Sequence, residues 1–250
     1  MSAVIFAGPS LPPKLRPPDP RITWLPPVRQ GDLYRAALDR PAIIGVIDGY
    51  FETVPTVWHK EILWAMAQGI HVYGAASTGA LRAAELDAFG MTGVGRIYED
   101  FRDGVLQDDD EVALLHGPEA LGYPPVTEAM VNIRATLAAA VDHGVIAPTV
   151  AARLTDVAKA LFYKQRTWVT ILRVPDSALP RVALCAFELW LATGRIDQKR
   201  VDAEALLHGI SAHLSTASLP LQVTYRLAET ASWNDARRHS EGVNRLPLRE

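Results

Sequence analysis

Short apolar runs alternate with helix-period segments over the first ninety residues, and this alternation limits the fold more than any other feature of the chain. "AVIFAGPSL" is an apolar run halted by Gly8-Pro9, and "PAIIGVIDGY" is a continuous β-branched run suited to a strand buried on both faces. "IHVYGAA" is a third such run. Between them, "GDLYRAALD" has helical spacing with Asp32 placed to cap, and "VPTVWHKEILWAMAQG" carries Val57, Ile62, Leu63 and Met66 at helical spacing before Gly69 ends it. Strand, helix, strand, helix in this rhythm predicts an α/β fold: a parallel sheet with right-handed crossovers and flanking helices. The strand carboxyl ends then share one edge, which collects Gly8 to Ser10, Asp48 to Phe51 and Ala75 to Thr78. The stretch "LPPKLRPPDPRITWLPPVRQGD" holds too many prolines for a helix or a central strand and reads as an ordered excursion.

From Val126 the texture changes. "TEAMVNIRATLAAAVDHG", "APTVAARLTDVAKALFY", "ALPRVALCAFELWLATG" and "KRVDAEALLHGISAHL" read as consecutive amphipathic helices, so the second half is mostly α-helical. The organisation expected is an α/β core over 1–125, a helical region packed on it over 126–232, and a loose tail over 233–250. With 250 residues, 49% of them hydrophobic and 21% charged, there is ample material for a core. A net charge of -3 argues against a nucleic-acid partner. Cys185 is the single cysteine, which leaves no intramolecular disulfide or zinc-binding thiolate cluster, and its apolar helical surroundings predict burial. The start "MSAVIFAGPSLPP" lacks a basic n-region and a long apolar core, and no apolar run nears the ~18 residues of a membrane span. A cytoplasmic address and no membrane association are expected.

Chemistry concentrates at "HVYGAASTGALRAAEL". Ala75-Ala76-Ser77-Thr78-Gly79 departs from G-x-S-x-G only in its first residue and sits where a strand turns into a helix, as a nucleophile elbow requires. Ser77 is therefore either a nucleophile or the cap of the following helix. As bases, His59 and Lys60 lie in the preceding helix, whereas His71 begins the third strand and sits at its wrong end. Lys60, beside Trp58 and Trp64, is either a desolvated amine able to take the serine proton or a surface charge on its aliphatic stem. Asp48 would position a base or ligand, or form an Asx turn with Gly49. Arg82 and Glu85, three apart, form a structural ion pair or anchor a carboxylate. The "DDDE" run at Asp108 to Glu111 either binds a divalent cation or, as acidic runs near turns more often do, faces solvent; it lacks the glycine and terminal glutamate of an EF-hand loop, and no metal is assigned. Tyr163, Arg166 and Trp168 in "FYKQRTW" have either an interface composition or that of partly buried aromatics at a helix end.

Together, "VIFAGPSL", "GVIDGYFETVPTVWHKEIL", "HVYGAASTGALRAAELDAFGMTGVGRIYEDFRDG" and "DDDEVALLHGPE" resemble the TfuA family, whose members are associated with trifolitoxin processing and YcaO-dependent peptide backbone thioamidation. The likeness spans roughly residues 3 to 168, and the helical C-terminal third adds nothing to it. The resemblance implies an accessory protein that engages a YcaO partner and its substrate, a ribosomal precursor peptide or a target protein. It also implies hydrolysis of the C-terminal thiocarboxylate of a ubiquitin-like sulfur carrier, releasing sulfide without a cofactor. The family's site is a Ser-Lys pair, which by motif position falls on Ser77 and Lys60. Thr78, where the family more often has methionine, and Gly79 would supply oxyanion amides with Ser10 near Gly8, while Tyr50 and Phe51 would wall a groove for the carrier tail. A non-catalytic adaptor for YcaO and its peptide is the alternative, and the helical half is left to make either a homodimer contact or the YcaO interface.

Overall fold

The computed structural model describes residues 1–52, 54–216 and 219–243. In chain order the elements are β1 (Ala3–Phe6), β2 (Ile22–Leu25), α1 (Asp32–Leu38), β3 (Ile43–Val46), α2 (His59–Ala67), β4 (His71–Ala75), α3 (Thr78–Leu86), β5 (Thr92–Val94) and α4 (Arg96–Arg102). Then follow α5 (Met130–Asp142), α6 (Pro148–Ala160), α7 (Trp168–Arg173), α8 (Arg181–Gly194), α9 (Gln198–Leu214) and α10 (Ala231–Val243), with single 3-10 turns between some of them. The strands form one parallel five-stranded sheet in the order β2-β1-β3-β4-β5. The fold class is thus α/β with a helical second half, as the alternation of runs predicts.

Three strands coincide with the apolar runs because each is covered on both faces. β3 is buried at every position: Ile44 and Val46 join the core under α1 and α2, while Ile43 joins a second core under α9. β2 lies within the proline-rich excursion as an edge strand, where a missing N–H breaks no interior ladder. β5 is the opposite edge, and its three residues, Thr92-Gly93-Val94, carry no periodic signal.

Helices α5 to α8 close around Leu154, Trp168 and Phe187. α9 instead returns to the sheet and places Ala203, Leu206 and Ile210 against Ile5, Ile47 and Ala75. The far half of the chain thereby supplies one face of the sheet's covering.

The loose tail expected from residue 233 is corrected as far as residue 243. Residues 219–230 cross α2, with Leu221 N donating to Gly69 O at 2.9 Å and Tyr225 OH to Leu63 O at 2.6 Å. α10 then packs on α1: Trp233 is buried, edge-on to Tyr34 at 5.7 Å, and Tyr34 OH donates to Glu241 at 2.6 Å. Residues 244–250 of that expected tail lie outside the described residues. Cys185 is exposed rather than buried, because α8 turns that side outward. Among the described residues no helix is long and apolar enough to cross a membrane.

The cap expected from Asp32 comes from elsewhere. Asp32 is the first helical residue, and the buried Glu61 of α2 accepts from Gly31 N at 2.9 Å, Tyr34 N at 3.2 Å and Trp58 N at 3.1 Å. One carboxylate satisfies the starts of both α1 and α2. Burial pushes its pKa above the ordinary glutamate range, against the lowering effect of those three donors. Glu61→Ala leaves buried N–H groups unpaired and is expected to cost about 2–4 kcal/mol in urea unfolding. A loss below about 1 kcal/mol would mean that other groups cap these helices.

Candidate active site

The chain leaves β1 towards β2 on one side and towards β3 on the other, so a crevice opens where β1 and β3 end. Asp48 sits there, 1% exposed, immediately beyond β3. Its Oδ2 accepts from Gly8 N at 2.8 Å and Ser10 N at 3.0 Å, and its Oδ1 accepts from Ser10 Oγ at 2.6 Å. These bonds settle two expectations. Gly8 and Ser10 spend their donors on Asp48 and are not oxyanion groups, and Asp48 is a tether for the β1 loop in place of an Asx turn.

Ser77 follows β4 through a tight turn. Its N–H donates to Ala75 O at 2.7 Å around Ala76, which is buried at φ 66°. This is the rare γ-turn hand, a strained backbone worth about 1–3 kcal/mol that is held by its surroundings. The holding comes from glycines. A Cβ on Gly79 would lie 1.8 Å from Val46 O, and one on Gly74 would lie 2.1 Å from Gly79 O, so only hydrogen at both sites lets α3 start against β3 and β4.

Ser77 occupies the N-cap position of α3, yet its side chain makes no capping hydrogen bond. Its Oγ is left to a cavity of about 280 Å³, also lined by Asp48, Gly49, Tyr50, Phe51, Thr78, residues 112–118, Tyr163, Lys164 and Lys199. Gly79 N donates to Ile47 O at 3.3 Å, which removes it from the expected oxyanion donors. Thr78 N, in the first turn of α3, has no partner among the described residues and remains available.

The buried lysine at this cavity is Lys199, and Lys60 is not among its lining residues. Lys60 Nζ donates to Ala228 O at 2.8 Å and Thr230 Oγ1 at 3.0 Å, tying down the segment before α10, and it does not line the cavity. His59 and Arg82 both bind Glu85, at 2.8 and 2.5 Å, in a partly exposed cluster between α2 and α3 that is likewise absent from the cavity wall. Lys199 is 2% exposed, and its Nζ donates to Val112 O at 2.8 Å. Burial pushes its pKa down, against the opposing pull of Asp48 and Asp197. Its backbone is clamped from α5: Asn132 Oδ1 accepts from Lys199 N at 3.1 Å while Asn132 Nδ2 donates to Asp197 at 3.1 Å. The sequence does hold a signal for this residue. Lys199 occupies the first position of the stripe continued by Ala203, Leu206, Ile210 and Leu214, so a cation stands where the helical period calls for an apolar residue.

The acidic run is paired, not solvated. Lys159 meets Asp108 and Glu111 at 3.0 Å each and also binds Asp110; Arg166 meets Asp110 at 2.8 Å, and Arg134 meets Glu111 at 2.9 Å. Burial alone would raise the pKa values of Asp110 and Glu111, but hydrogen bonds from these cations carry them below the ordinary range. The network fixes the segment that continues into Val112 to Leu115, the wall that receives Lys199.

Arg166 is fully buried in this network, and Trp168 is buried 5.4 Å from Phe187, so neither is the surface contact their composition suggests. Tyr163 is also buried: it lines the cavity, meets Phe51 edge-on at 5.4 Å and donates to Glu52 at 3.0 Å. Tyr50 lies 6.1 Å from His116, giving the cavity an aromatic rim together with Phe51.

A search of curated proteins gives no match. Residues 48–167 match the family described as TfuA-like protein. The matched region begins at Asp48, contains Ser77, the paired acidic run and the clamp residue Asn132, and stops short of Lys199; over these residues the chain is similar to the TfuA-like family.

Proposed function

We propose that the protein is a hydrolase of YcaO-dependent thioamidation, releasing hydrosulfide from the C-terminal thiocarboxylate of a ubiquitin-like sulfur carrier with Ser77 as nucleophile and Lys199 as base. The observation that carries this reading is one cavity lined by both an uncapped serine at a strained elbow and a buried amine of lowered pKa. Neutral Lys199 takes the Ser77 proton as Oγ attacks the thiocarboxylate carbon, and Thr78 N–H receives the developing oxyanion. Collapse breaks the C–S bond. The proton taken from Ser77 leaves with the sulfur, so thiocarboxylate and serine become a seryl ester and hydrosulfide. Water, deprotonated by Lys199, then attacks the ester, returning Ser77 and a carboxylate-ended carrier.

The aromatic rim suits a narrow peptide tail. Tyr50 and Phe51 flank the opening, and Lys164, paired with Glu52 at 2.9 Å, stands at its edge. Handing hydrosulfide to a YcaO that has activated a peptide amide would complete sulfur insertion into a precursor peptide or target protein.

The test is hydrosulfide release from purified thiocarboxylated carrier by wild type and by Ser77→Ala. The expected result is release by wild type and background release by the variant, whose fold is kept because Ser77 Oγ caps nothing. No release by wild type, with or without YcaO, would leave the protein an adaptor.

A further inference from the structure

We propose that the outward face of α8 is a homodimer contact, in which α8 packs antiparallel against α8 of a second copy about a two-fold axis near Cys185. The sequence of this helix, "RVALCAFELWLATG", carries charge only at Arg181 and Glu188. Phe187 and Leu191 are buried in the helical core, yet Val182 and Leu189 on the other side are 84% and 80% exposed, with Cys185 exposed between them. A helix that is apolar all round belongs between two covering surfaces, and α8 has one. A groove of about 540 Å³ opens beside the same stripe, with Leu184 and Cys185 in its wall and Arg181 and Glu188 among its charged lining residues.

The charges identify the occupant. Arg181 and Glu188 lie seven residues apart on one edge of the helix, near mirror positions about Cys185, and neither has an ion-pair partner among the described residues. An antiparallel copy brings Arg181 of each chain to Glu188 of the other, so a single two-fold operation forms two ion pairs and covers Val182 and Leu189 twice. This edge is complementary to itself. It also lies outside the region 48–167 that carries the family likeness, so the contact belongs to this chain's own helical half.

The test is sedimentation of the full chain under reducing conditions from about 1 to about 100 µM. A concentration-dependent dimer is expected. Arg181→Glu and Glu188→Arg should each weaken it about tenfold or more, and the double variant Arg181→Glu/Glu188→Arg should restore it, which also controls for folding. Diamide, taking two electrons and two protons from a pair of Cys185 thiols, should yield a covalent dimer that Cys185→Ser does not form. A monomer across the whole range, or a double variant no better than the single ones, would overturn the proposal. So would a monomeric protein whose Leu189→Glu variant loses binding to YcaO, because the face would then serve an unlike partner.

Discussion

Lys199→Met is expected to slow thiocarboxylate hydrolysis by about 10³-fold or more while the protein remains folded, the scale on which removal of the base collapses a nucleophile-base pair. Methionine keeps the length and flexibility of the side chain in a fully enclosed position and removes only the amine. Val112 O loses its donor, which costs stability, but the burden of burying an ionisable group is lifted at the same time. The sign of the pH dependence follows from the lowered pKa of Lys199. Between that value and the ordinary lysine value, the unfolded chain binds a proton that the folded one does not, so wild type gains stability as pH rises and loses it as pH falls. Relative to wild type, Lys199→Met should therefore be more stable at about pH 7 than at about pH 10, by urea unfolding at each. The wild-type hydrolysis rate should rise with pH as Lys199 loses its proton, and that limb should vanish in the variant. Lys60→Ala, in contrast, should retain hydrolysis, because Lys60 holds the segment around Ala228 and Thr230.

Gly79→Ala is expected to destabilise the fold by about 3 kcal/mol or more, at or beyond the usual cost of overpacking. The new methyl group would lie 1.8 Å from Val46 O, a backbone atom of the central strand that no rotamer change can move. Relief requires lifting α3 off β3, which breaks the bond from Gly79 N to Ile47 O and frees the strained turn at Ala76 that presents Ser77. Hydrolysis should be lost along with stability. Urea unfolding measures the effect, and a loss below about 1 kcal/mol would show that the elbow tolerates more space than its geometry allows.

The strands most legible from sequence were those covered on both faces. β1, β3 and β4 are near-continuous apolar runs because α1 and α2 bury one side and α9 buries the other. β2 was hidden among prolines and β5 in a three-residue run, both at sheet edges where burial no longer writes a pattern. The serine was legible because an elbow is local: strand, turn and helix run without interruption from His71 to Leu86. Its lysine was not. Lys60 is near in sequence but bonded to the chain after α9, whereas Lys199 is 122 residues beyond Ser77 and reaches the cavity only because α9 returns to the sheet. The oxyanion donors failed for a similar reason, since the accepting partners of Gly8, Ser10 and Gly79 are Asp48 and Ile47, which sit just after β3 and are invisible to local spacing. Arg166 and Trp168 have the residue types of an interface, but type alone does not distinguish a binding surface from a buried ion-pair network.

The pairing of Ser77 with Lys199 is tested most directly by covalent labelling with a serine-reactive fluorophosphonate, the site mapped by peptide mass. A nucleophile activated by Lys199 predicts labelling at Ser77 in wild type and in Lys60→Ala, with little or none in folded Lys199→Met. Labelling that survives loss of Lys199 but disappears with Lys60, or wild type that takes no label at Ser77, would contradict it.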